Sequence, residues 1–85
     1  MEVVYSKKAQ KDREFWKKSG NIFIMNKITD LIEDIQLHPF EGIGKPEPLK
    51  HQLSGKWSRR IDKSNRFVYS VENNILMIFS LKGHY

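Results

Sequence analysis

Residues 66–85 read RFVYSVENNILMIFSLKGHY. From Arg66 onward, Phe67, Tyr69 and Val71 fall on one side of an extended chain and Arg66, Val68 and Ser70 on the other. That two-residue period predicts a β-strand. Asn73-Asn74 supplies a hairpin turn, since asparagine tolerates the positive φ that tight turns require, and ILMIFSLK returns as a buried strand. Upstream, KWSRRI (56–61) alternates and KSN (63–65) turns the chain, so the second half is an antiparallel meander. The chain finishes on His84 and Tyr85, two side chains able to exchange protons. Chain ends usually fray; strand pairing would hold this one still and let its last two residues work.

Working outward, EVVY (2–5) predicts a short first strand, and Ser6 a helix cap. The helix runs through KKAQKDREFWKKS with Ala9, Phe15 and Trp16 as its buried stripe, and Gly20 stops it. Asn21 caps a second helix in which Ile24, Ile28, Leu31, Ile32 and Ile35 recur at spacings of three and four, until Pro39 ends it. The order is β-α-α-β-β-β: an α+β fold in which an antiparallel helix hairpin packs on one face of a four-stranded, mainly antiparallel sheet. The other face is left for the basic strand residues. Residues 38–55, with all three prolines and three of the five glycines, form the one sizeable irregular stretch, and long loops in small domains are often functional.

Eighty-five residues predict one domain, 1–85, near the lower end of what folds without staples. There is no cysteine, so neither a disulfide nor a thiolate metal site can help, and five Phe, three Tyr and two Trp must build the core. No apolar run is long enough to span a membrane and the N-terminus has no signal-peptide pattern, which together point to a soluble cytoplasmic protein. The formal charge is +5 and lies entirely in the second half: residues 42–85 hold eight Lys and Arg against Glu47, Asp62 and Glu72, whereas residues 1–41 are balanced. Such asymmetry suggests a polyanion, most simply nucleic acid.

Three side chains carry the candidate chemistry. Glu47 sits between two prolines in KPEPLK, held better than most loop acids and flanked by Lys45 and Lys50. An acid among cations would weaken polyanion binding unless it had another task, and general base is the obvious one. Arg66 offers a permanent cation with forked donors for a phosphate. His84 can donate a proton near neutral pH. Base, arginine and acid together suggest metal-independent cleavage of RNA, whose 2′-hydroxyl is an internal nucleophile. Arg59 and Arg60 are adjacent on a strand, so at most one of them shares a face with Arg66. His38 and His51 lack ligand-like spacing, which argues against a metal, and no cofactor motif is present.

The long segment PFEGIGKPEPLKHQLSGKWSRRI (39–61), then RFVYSV and the terminal HY, resemble the Txe/YoeB toxins of bacterial type II toxin–antitoxin pairs, within the wider RelE-like group. The resemblance runs nearly end to end, in the N-terminal half more by pattern than by identity. It implies a microbial-RNase-like fold and an endoribonuclease that cleaves mRNA in the ribosomal A site. By position it puts catalytic roles on Glu47, Arg66, His84 and Tyr85, and substrate or transition-state charge on Lys50 and Arg59. It also implies a ribosome (rRNA) surface, an acidic YefM-like antitoxin and promoter DNA bound only as the toxin–antitoxin complex; members of the family can be homodimers. Two other readings compete: a basic nucleic-acid-binding module or repressor subunit without catalysis, and a catalytically dead partner of an acidic protein.

Overall fold

The computed structural model describes residues 1–84. Its elements are β1 (Glu2–Tyr5), α1 (Lys7–Ser19), α2 (Ile22–Leu37), β2 (Glu47–Pro48), a 3₁₀ turn (His51–Leu53), β3 (Trp57–Arg60), β4 (Arg66–Glu72) and β5 (Ile75–Ser80). The sheet has five strands in the order β1-β5-β4-β3-β2. β3, β4 and β5 form the antiparallel meander, and β1 lies parallel to β5 at one edge. Four strands were expected; the fifth is the two-residue β2, which pairs antiparallel with β3. Proline cannot donate to a ladder, so Pro48 belongs on such an outer strand.

The caps match the residues that specify them. Ser6 Oγ accepts the Ala9 N–H, Asn21 Oδ1 accepts the Ile24 N–H, and Gly20 closes α1 at φ 70°. On α2, Ile24, Ile28, Leu31 and Ile35 are buried, each stabilising the fold by about 1.5–3 kcal/mol. They pack with Phe67, Tyr69, Leu76 and Ile78 of the sheet in one cluster. The stripe of α1 differs from the sequence expectation. Its buried residues are Ala9, Asp12 and Trp16, while Phe15 is half exposed. Asp12 takes an apolar position because its carboxylate accepts the buried Leu81 N–H at 3.0 Å.

Leu49 and Val68 are also buried but lie outside the main cluster. Alternation puts Val68 on the face opposite Phe67 and Tyr69. That helix-free face carries the candidate site.

Candidate active site

Cross-strand register decides which side chains share this face. Glu47 pairs with Ser58, and Ser58 with Val68, so all three project to the same side in a row across β2, β3 and β4. Arg60 pairs with Arg66, two positions along and again on this side. From strand spacing and rise, the Cα atoms of Glu47 and Arg66 stand roughly 12 Å apart. Glutamate and arginine side chains can approach a phosphodiester from both ends of such a gap. Glu47 is exposed, and with Lys50 and His51 it borders a shallow hollow of about 330 Å³.

Arg66 is oriented by the β3–β4 turn. Its Nη1 donates to the carbonyls of Asp62 (2.9 Å) and Asn65 (3.3 Å). The turn is built on Asp62, whose Oδ1 accepts the N–H groups of Ser64 and Asn65 and the Asn65 side-chain amide. One of the three acids of the basic half is thereby consumed by local structure.

The same turn holds the end of the chain. Asn65 Oδ1 accepts the Gly83 N–H at 2.8 Å, and the Arg66 N–H donates to the Gly83 carbonyl at 3.0 Å. His84 therefore leaves from a residue tied to Arg66. A second clamp acts upstream. Trp16 Nε1 donates to the Leu81 carbonyl at 2.9 Å, and Lys8 Nζ bridges Asp12, Ser80 Oγ and the Lys82 carbonyl. Residues 80–83 are thus fastened on two sides, and His84 is exposed beyond them. Tyr85, the fourth expected catalytic residue, lies outside the described residues.

Arg59 requires a correction. It is fully buried, on the helix side of the sheet beside Phe67. All five of its N–H donors are committed: Nε to Tyr69 Oη, Nη1 to Asp34 Oδ2 and the Ile43 carbonyl, and Nη2 to the carbonyls of His38 and Glu41. The Tyr69 hydroxyl in turn donates to the Pro39 carbonyl at 2.6 Å. A guanidinium has no further donor, so Arg59 cannot contact substrate in this fold. It anchors the 38–43 loop instead. Its hydrogen bond to Asp34 holds that carboxyl below the usual carboxylate range, against the opposing effect of burial. Burial likewise pushes the Tyr69 phenol up.

Arg60 is the residue missed. It is exposed, faces the same side as Arg66, and its N–H donates to the Gly44 carbonyl at 2.7 Å. The sequence signal was available in part, because adjacent strand arginines must diverge. Choosing between them needed the length of the β3–β4 turn, five residues (61–65) with Arg60 opposite Arg66. Among the described residues, no group of three His, Asp or Glu is placed to hold a metal ion.

A family model described as "YoeB-like toxin of bacterial type II toxin-antitoxin system" matches residues 5–85. The chain is 45% identical to Toxin YoeB of Escherichia coli (strain K12) over 85 residues, all of both chains. It is similar to the solved YoeB/ParE toxin from Agrobacterium tumefaciens, with a TM-score of 0.96 at 40% identity and full coverage of both chains. It also matches a chain of the YoeB-YefM complex from Staphylococcus aureus, with a TM-score of 0.91 at 38% identity over 100% of this chain and 98% of that one. With the family model spanning both Glu47 and the terminal pair, and identity sustained over the full length, this chain belongs to the YoeB-like toxins of bacterial type II toxin–antitoxin systems.

Proposed function

We propose that this toxin is a ribosome-dependent endoribonuclease that cleaves mRNA in the A site and so stops translation. Glu47 removes the proton of the 2′-hydroxyl, and the 2′-oxygen attacks the adjacent phosphorus. Arg66 stabilises the charge that grows on the phosphorane oxygens. The P–O5′ bond breaks as His84 gives its proton to the leaving 5′-oxygen. The products are a 2′,3′-cyclic phosphate and a free 5′-hydroxyl, with no metal or cofactor in the balance. Tyr85 positions the substrate base or phosphate. Lys50 and Arg60 supply further positive charge, Arg60 in the role the family resemblance had given to Arg59.

The observation that carries this reading is the hydrogen bond from the Arg66 N–H to the Gly83 carbonyl, which puts the residue before His84 against the phosphate-binding candidate. The neutralising partner is an acidic, partly disordered YefM-like antitoxin that folds across the basic face. The complex, and not the toxin alone, binds promoter DNA. Self-association into a homodimer also belongs to this reading.

Cleavage of mRNA on programmed ribosomes, mapped by primer extension, tests it with wild type beside Glu47→Ala and His84→Ala, the C-terminus untagged. Discrete A-site cuts that fade in both variants are expected. An uncut message on competent ribosomes with folded wild-type protein would leave a binding module in place of an enzyme.

A further inference from the structure

A second concentration of charge lies beside the Glu47–Ser58–Val68 row, toward the β3–β4 turn. A cleft of about 450 Å³ is lined by Lys27, Lys45, Arg60, Lys63 and Arg66, with Asp62 its one acidic residue. These cations come from four parts of the chain: α2, the 38–46 loop, the end of β3, and the β3–β4 turn with the start of β4. Five like charges around one hollow repel each other, and a bound anion would relieve that.

Asp62 relieves it only in part, since five cations against one carboxylate leave four positive charges in excess. Its carboxylate is turned into its own loop, where Oδ1 takes three hydrogen bonds and Oδ2 a fourth, from Asn65 Nδ2. The backbone that presents Lys45 is also unusual. Lys45 has φ 52°, a left-handed conformation that costs a non-glycine residue free energy. Gly44 before it has φ 79°, and a Cβ there would stand 3.0 Å from Leu31 Cδ2 and 3.1 Å from both Arg59 Cβ and the Arg60 carbonyl. The loop is thus pressed onto β3, and Lys45 emerges at the cleft. Arg66 and Arg60 belong both to this cleft and to the face that carries Glu47.

We infer that the cleft is an RNA phosphate subsite. It holds a phosphodiester next to the scissile one on the substrate strand, with Lys27 and Lys63 as its outer contacts and Arg66 shared between the two phosphates. This rests on the endoribonuclease reading above. It adds a reason for substrate to bind in one register: two phosphates gripped by cations at the end of the β3–β4 strand pair fix the intervening ribose and its 2′-hydroxyl.

The probe is a short fluorescein-labelled single-stranded DNA, which lacks the 2′-hydroxyl and cannot be cut by this route. Binding is read by anisotropy over a salt series, for wild type, Lys27→Ala/Lys63→Ala and the control Lys7→Ala/Lys11→Ala, which removes equal charge from α1. Each phosphate contact on a single strand contributes about 0.7 to the slope of log K against log salt. The cleft double variant, which removes both outer contacts to that one phosphate, should lower the slope by about 0.7 and the control should not. Should the double variant fail to fold, Lys63→Ala alone, at an exposed turn position, should lower it by about half as much, and the control should again leave it unchanged. An unchanged slope, or equal losses in both double variants, overturns the subsite. A selective loss together with uncut message on ribosomes keeps the phosphate subsite and overturns the nuclease reading, so the two fail separately.

Discussion

Replacing Arg59 tests whether this arginine is an anchor or a substrate contact. Arg59→Ala deletes a fully buried guanidinium and all five of its hydrogen bonds. It leaves Asp34 Oδ2 with the Ile43 N–H alone and the carbonyls of His38, Glu41 and Ile43 without their Arg59 donor. Asp34 itself keeps part of its surface in solvent, so the loss is set by the hydrogen bonds that Arg59 makes from its buried position, and breaking such a network costs about 3–5 kcal/mol. At roughly 0.05–0.15 kcal/mol per residue, a chain of 85 residues has only about 4–13 kcal/mol to lose. For a domain this small, each kcal/mol moves the midpoint by about 4–8 °C, so the melting temperature should fall by about 12–40 °C. Arg59→Lys keeps a positive charge against Asp34 but brings three donors to five acceptors, and its loss should be clearly smaller. Thermal melts followed by circular dichroism, for both variants beside wild type, give the answer. A lysine variant that melts with wild type yet no longer cleaves mRNA would refute the reasoning, because a residue acting through stability alone cannot separate the two.

Four further outcomes are expected. Acid should expose the Asp34 contribution: since its folded pKa is lowered by Arg59, that stabilisation is present above the unfolded value of about 3.9 and is lost as pH falls through the folded one. Asp34→Asn should therefore be less stable near neutrality but show a flatter dependence of urea midpoint on pH below about 4. Gly42→Ala should destabilise by about 1–3 kcal/mol, because Gly42 sits at φ 114° and a Cβ would collide with the Asp34 carboxylate; chemical denaturation measures it. Asp12→Asn and Trp16→Phe should speed amide exchange at Leu81 and lower kcat for mRNA cleavage, by up to about a hundredfold as His84 loses its position, with KM changed far less. Arg60→Ala should keep its melting temperature within a degree or two and weaken cleavage, the reverse of the Arg59 pattern.

Much of the architecture was legible because it rests on local rules. The two-residue period of 66–71, the Asn-Asn turn and the three-and-four spacing of α2 each imply an element, and their order admits few packings. Phe15 shows where that reasoning stops. An amphipathic stripe is read by looking for apolar residues, so a buried aspartate is passed over and the next aromatic is counted in its stead. Asp12 is inside only because the Leu81 N–H, far along the chain, needs an acceptor there. Strand β2 was hidden for a similar reason: two residues, one of them proline, carry no period.

The candidate site divides along the same line. By itself the sequence determined the residue types of the chemistry, the proline frame around Glu47, the concentration of cations in the second half, and the fact that Arg59 and Arg60 point to opposite sides. Tertiary structure alone decided which arginine faces the site, since a register across a five-residue turn is a property of two strands together. It also decided what anchors the chain end. The hydrogen bonds that tie Gly83 to Arg66 and Asn65, and Leu81 to Asp12 and Trp16, join residues about 20 to 70 positions apart. No local pattern encodes such pairs, because each exists only once the sheet and helices have buried the groups that must be satisfied.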